Sequence, residues 1–255
     1  DVGGICMVKG LDTFQKYFAD YEEQYVLIGG AACDILFESN EVNFRATRDL
    51  DMVLIVEALT PEFGEKFWEF IVDGKYRNKA TNGSNPQFYR FDKPEDDEFP
   101  KMIELFCRSD FKLKDAKGIT PIHIDDEVSS LSAILLNESY YELLKSGQEV
   151  IDGIPVLSPT CLIPFKAKAW LDLKKRKSDG EHIDSKNIRK HKNDVFRLAQ
   201  LISADTRQLL SPEVINDMKK FLSEIEGEDV DLKSLGIQIT DKKRMLDILY
   251  QCYGL

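Results

Sequence analysis

Residues 45–56 read Arg45-Ala46-Thr47-Arg48-Asp49-Leu50-Asp51-Met52-Val53-Leu54-Ile55-Val56. The second half of this stretch is a short apolar run rich in Val, Leu and Ile, the composition of a buried strand. Residues i and i+2 of a strand point to one face, so Asp49 and Asp51 converge at its entrance. Two like charges beside a buried strand repel each other and are costly to desolvate. A divalent cation removes that cost, and Mg²⁺ takes one or two carboxylates together with substrate phosphates. A solvated strand end is the alternative reading of the same pair.

Upstream, YVLIGGAACDILF places Gly29 and Gly30 between a short apolar run and a second helix. Glycines at such a turn let backbone N–H groups approach a phosphate, helped by the helix dipole. A tight strand-to-helix turn needs glycine in any case. Downstream, Glu104 sits inside MIELF, flanked by apolar residues where a lone carboxylate is unexpected. A strand beside the first would bring Glu104 toward Asp49 and Asp51. Three carboxylates hold two metals, or one metal and a general base for an attacking hydroxyl. A Glu on the wet face of a sheet is the competing reading.

Around these positions the pattern is mixed. Residues 11–24 have helical spacing, and TPEFGEKFWEFIVDG opens a helix at Thr60-Pro61, with Pro at the first position. QFYRFD and KMIELFCR read as strands joined by the acidic, proline-bearing KPEDDEFP. GITPIHIDD reads as a further strand, SSLSAILLNESYYELLKSG as a helix, and DGIPVLS as an extended lead-in. Ser158-Pro159 then starts a helix, with Ser as cap. Beyond it the pattern predicts helices near 160–177, 186–204, 212–225 and 240–253. The expected class is α+β: a small mixed sheet with helices in residues 1–157, then an all-helical domain in 158–255.

In LIPFKAKAWLDL, Leu162, Trp170 and Leu173 share a face, and Lys166 falls in the middle of that apolar arc. A Lys there needs a charged partner. A nucleotide triphosphate in an interdomain cleft would supply one; a Lys snorkelling at the rim of the core is the alternative. In NIRKHKNDVFRLAQLI, Asp194 lies at the edge of the core arc, one turn from Lys190, where it either anchors Lys190 or faces the cleft. His191 falls within the arc, the place of a packed histidine.

Five scattered cysteines without a CxxC argue against a zinc site and a disulfide framework, and fit reduced thiols in a cytoplasm. The chain opens on Asp1 rather than Met, as a fragment or a processed chain would, and shows no signal-peptide pattern. No apolar stretch is long enough to span a membrane. The net charge of -11 argues against a general nucleic-acid coat protein. The distribution is uneven: residues 166–197 hold eleven Lys and Arg against five Asp and Glu, a net of +6. That segment suggests a local phosphate site or a solvated helix face.

Taken together, GGAACDIL, RATRDLDMVLIV and MIELF resemble the GG, DxD and third acidic strand of nucleotidyltransferases. Residues 45–51 are similar to the R-x-T-x-D-hydrophobic-D of the AbiEii/AbiGii-type toxin nucleotidyltransferases, and VLSPTCLIPFKAKAWLDLKKR with KHKNDVFRLAQL resembles that family's helical half. The likeness covers residues 25–205. It implies that Asp49 and Asp51 are ligands of Mg²⁺ (or Mn²⁺), with Glu104 the third acid. It also implies that Lys166 contacts the nucleotide phosphates, that Asp194 supports the cleft, and that Arg45 and Thr47 lie beside the nucleotide. Two departures stand out: His191 replaces the first acid of the family's Lys-Asp-x-x-Asp, and Glu104 stands where many relatives have Asp.

The resemblance implies transfer of a nucleoside monophosphate from an NTP to a hydroxyl acceptor. That acceptor would be RNA, in toxin relatives the 3′ end of a tRNA, with a cognate antitoxin as partner. Two other readings compete. A small-molecule nucleotidyltransferase of the antibiotic-modifying type predicts a deep acidic pocket rather than an open basic groove. A non-catalytic descendant that binds nucleotide or a partner protein predicts that Asp49, Asp51 and Glu104 do not converge, or that the cleft is filled.

Overall fold

The computed structural model describes residues 9–40, 49–55, 57–78, 88–108, 134–238 and 240–255. Arg45, Thr47 and the stretch GITPIHIDD lie outside the described residues. The described chain forms two compact units: residues 9–108 with Gln148–Leu157, and residues 134–147 with Ser158–Leu255.

The first unit is built on one sheet. Its strands are β1 (Tyr25–Ile28), β2 (Asp49–Leu54), β3 (Arg77–Asn78), β4 (Phe88–Asp92), β5 (Met102–Phe106), β6 (Gln148–Ile151) and β7 (Ile154–Leu157). They lie in the order β3-β4-β5-β2-β1-β7-β6. β2 runs parallel to β5 and β1 parallel to β7, and the other pairs are antiparallel. This is the small mixed sheet expected from the sequence. Helix α1 (Leu11–Phe18) and helix α3 (Pro61–Asp73) pack together, and helix α2 (Gly29–Ser39) lies against β1, β2, β6 and β7.

Alternation along the strands assigns the two faces. Phe14 and Phe18 of α1 and Phe63 of α3 pack on the ring of Tyr25, and Phe67 of α3 packs on Phe91. All five phenylalanines are almost fully buried. Edge-to-face contacts such as Phe14–Tyr25, at 5.6 Å and 88°, add to the apolar area these rings remove from water. Leu50, Met52, Ile103 and Leu105 share this aromatic face through the register of the strands. Asp49, Asp51, Glu104 and Arg90 therefore lie on the opposite face.

Local chemistry explains several element ends. α3 begins at Pro61, and the Thr60 hydroxyl accepts from Phe63 N at 3.3 Å. α1 ends at Phe18, short of the helix expected through residue 24. The chain turns there so that the Gln24 backbone oxygen accepts from Ile55 N and its side chain accepts from Thr60 N. The hairpin β6–β7 extends what the sequence suggested only as a lead-in. Its turn, Asp152-Gly153, has φ of 49° and 77°, the two left-handed residues of a type I′ turn.

In the second unit every described element is a helix: α4 (Glu138–Ser146), α5 (Pro159–Ser178), α6 (Ser185–Ala199), α7 (Pro212–Glu226), a short 3-10 turn (Lys233–Leu235) and α8 (Lys242–Tyr253). Residues 134–147 join this unit because Asn137 and Ser139 donate to Glu213, and Tyr140 to Asp217, both on α7. Ser158 occupies the cap position of α5 but its side chain makes no capping bond. α6 stops at Ala199 rather than near residue 204. The Ser203 hydroxyl bonds Asp205 and Thr206, a local turn that competes with helix. No helix among the described residues is long and apolar enough to cross a membrane.

Candidate functional site

The strand register brings the acidic motif and the glycine motif together. Ile28, the last residue of β1, pairs with Asp51, so the chain enters α2 beside that carboxylate. Gly29 has φ of +70°, and a Cβ built on it would lie 1.8 Å from Asp51 Oδ2. Only glycine combines this conformation with so close an approach. α2 has no side-chain cap of its own; the carboxylate from the neighbouring strand stands at its N-terminus, where the helix dipole favours negative charge. Gly30 follows as the second helical residue.

On the other side of β2, Asp51 pairs with Glu104 of β5, and Glu104 pairs with Arg90 of β4. Asp51, Glu104 and Arg90 thus form one rung across three strands. Asp49 sits on the same face, opposite Met102. Both aspartates are half-buried. The Glu104 side chain is 12% exposed and its Oε1 accepts from Arg90 Nε at 2.7 Å and also from the Arg90 Nη2. Among the described residues no three side chains of His, Cys, Asp or Glu are grouped so as to hold a metal ion. Nothing in its own segment singles out Arg90; strand register, not spacing within one strand, sets it against Glu104.

The other candidate residues lie in the second unit. Lys166 is buried in α5, as its place in the apolar arc predicts, and its Nζ is 3.2 Å from Asp194 Oδ2 of α6. Asp194 is fully buried and also pairs with Arg197 at 3.3 Å. Asp194 therefore supplies the charge that a buried Lys166 requires. Lys190 and His191 are half-buried on the same helix.

The basic segment is largely neutralised from within its own unit. Lys168 pairs with Asp217, Lys174 with Glu224 and Glu228, Lys192 with Glu228, and Arg176 with Glu181. Burial works to raise the Glu228 carboxyl, but Lys174 and Lys192 outweigh it and hold the group below its ordinary range. The +6 excess seen in sequence is thus met in good part by acids of α7 and the residues just after it. Lys175, Lys186 and Arg189 remain exposed.

No protein-family model and no curated protein matches the chain. The structure is similar to an antigenic nucleotidyltransferase-like protein from Paracoccidioides brasiliensis, at 14% identity over 92% of this chain and 95% of that chain, with a TM-score of 0.44. A likeness at that depth leaves the function to be read from the residues of the site themselves.

The residues at the head of α2 suit a divalent cation with a phosphate ligand. The close approach of Gly29 leaves Asp51 a cradle that any Cβ would fill. Two half-buried carboxylates on one strand face, Asp49 and Asp51, are the number that Mg²⁺ takes from protein when phosphates supply the rest.

Proposed function

We propose that this chain is a nucleotidyltransferase, moving a nucleoside monophosphate from an NTP to a hydroxyl acceptor. The observation that carries the reading is the approach of Gly29 to Asp51: a glycine turn at a helix N-terminus directly beside a paired-aspartate strand. Asp49 and Asp51 would hold Mg²⁺ or Mn²⁺. The cation, when bound, supplies neutralisation of charge on the phosphate being transferred. The chain's own contribution is positioning: β2 carries both carboxylates on one face, and the start of α2 beside Asp51 would offer backbone N–H groups to a phosphate oxygen.

RNA is the acceptor we favour, following the resemblance of residues 45–51 to AbiEii/AbiGii-type toxins, and an antitoxin protein would be the partner in that role. Exposed Lys175, Lys186 and Arg189 leave some positive surface for a polyanion, although most neighbouring charges are already paired. Incubation with Mg²⁺, each α-labelled NTP and total tRNA tests the reading. Label passes to RNA with wild type and not with Asp51→Ala. Label on a small hydroxyl compound and none on RNA would move the assignment to a small-molecule transferase. No transfer to either would count against catalysis.

A further inference from the structure

Glu104 is the third carboxylate on this face of the sheet, yet its bonding partner is Arg90. Nε and Nη2 of one guanidinium both donate to Oε1, and the pair is mostly shielded, with Arg90 24% and Glu104 12% exposed. Charge-assisted bonds of this kind are strong and directional. A cation at Oε1 would meet the guanidinium charge at contact range, and one at Oε2 would still lie close enough to be repelled by it.

We infer that Arg90 keeps Glu104 out of the metal-ligand set, so that the nucleotide-free site presents Asp49 and Asp51 to one divalent cation. This rests on the proposed metal site at Asp49 and Asp51. Charge supports it. Within this group of four described side chains, Asp49, Asp51 and Glu104 carry three negative charges and Arg90 one positive, a sum that one such cation balances. Like charges directly opposite on adjacent strands are destabilising, and Asp51 and Glu104 are such a pair. Arg90 relieves that repulsion without a metal. It is a positioning residue, acting on the site through Glu104.

The test is Mn²⁺ binding to the full chain without nucleotide, counted by electron paramagnetic resonance and titrated by calorimetry. Wild type binds one ion and Asp51→Asn loses it. Glu104→Gln, close to isosteric, keeps one bound ion and weakens it by no more than about tenfold through the uncompensated Arg90 charge, because Glu104 is not a ligand. Arg90→Gln releases Glu104 and tightens Mn²⁺ by about tenfold or more, or adds a second ion. Arg90→Lys keeps the wild-type stoichiometry. The inference is overturned if Glu104→Gln weakens binding as far as Asp51→Asn does, or if a folded Arg90→Gln binds as wild type. Should Arg90→Gln not fold, Glu104→Gln decides alone. Wild type that binds no Mn²⁺, or Asp51→Asn that binds it unchanged, defeats the metal site itself and this inference with it.

Discussion

Asp194→Ala is expected to destabilise the helical unit by about 3–5 kcal/mol, among the largest losses from any single substitution. The variant leaves the Lys166 ammonium in α5 without the carboxylate 3.2 Å away, in a site where its side chain is only 8% exposed. A buried charge that loses its counter-charge carries most of its desolvation cost. Arg197, at 20% exposure, can turn to water and loses less. Replacing both partners, Lys166→Met with Asp194→Leu, should recover most of the loss, since a packed apolar pair often equals a buried ion pair. Denaturant unfolding measures both, read from the midpoint at unchanged slope. A loss below about 1 kcal/mol for Asp194→Ala would mean that Lys166 reaches water and that the pair behaves as a surface bridge.

Gly29→Ala is expected to be the most damaging small change to the site. Its Cβ would overlap Asp51 Oδ2 at 1.8 Å, and φ of +70° is strained for alanine. The left-handed conformation costs roughly 1–2 kcal/mol. The clash adds to that unless the carboxylate moves. Displacing it by about 1 Å is enough to cost on the order of 100-fold in transfer rate. A steady-state assay of nucleotide transfer reads the effect. Gly64→Ala, in α3 with nothing within 4 Å of the added methyl, is the matched control and leaves activity unchanged. Equal activity in Gly29→Ala and wild type would remove Gly29 and Asp51 from any common site.

Much of this architecture is legible in the residues. The run after Asp51, the Thr60-Pro61 start of α3 and the burial of Lys166 each follow from local pattern, because alternation, capping and helical spacing are properties of one element. Pairings between elements are not local. The spacing around Asp194 points within its own helix, to Lys190, and gives no sign of the ion pair with Lys166 from another helix. Glu104 stands out as a carboxylate in an apolar strand, but nothing in its own segment names Arg90. The β6–β7 hairpin did carry a signal, the Asp152-Gly153 dipeptide followed by the apolar run Ile154–Leu157. Its parallel pairing with β1, Leu27 against Val156, joins segments too far apart in the chain for any window to see. The attachment of residues 134–147 to the helical unit depends in the same way on Glu213 and Asp217.

Nucleotide transfer by this chain stands or falls on Asp49 and Asp51 holding a divalent cation that in turn holds the nucleotide. Calorimetric titration of wild type, Asp49→Ala and Asp51→Ala with each NTP, in Mg²⁺ and again in EDTA, addresses that step alone. Wild type should bind at least one NTP in Mg²⁺ and lose that binding in EDTA, while both variants show the EDTA behaviour under both conditions. NTP binding of equal strength in wild type and Asp51→Ala, insensitive to EDTA, would contradict the assignment.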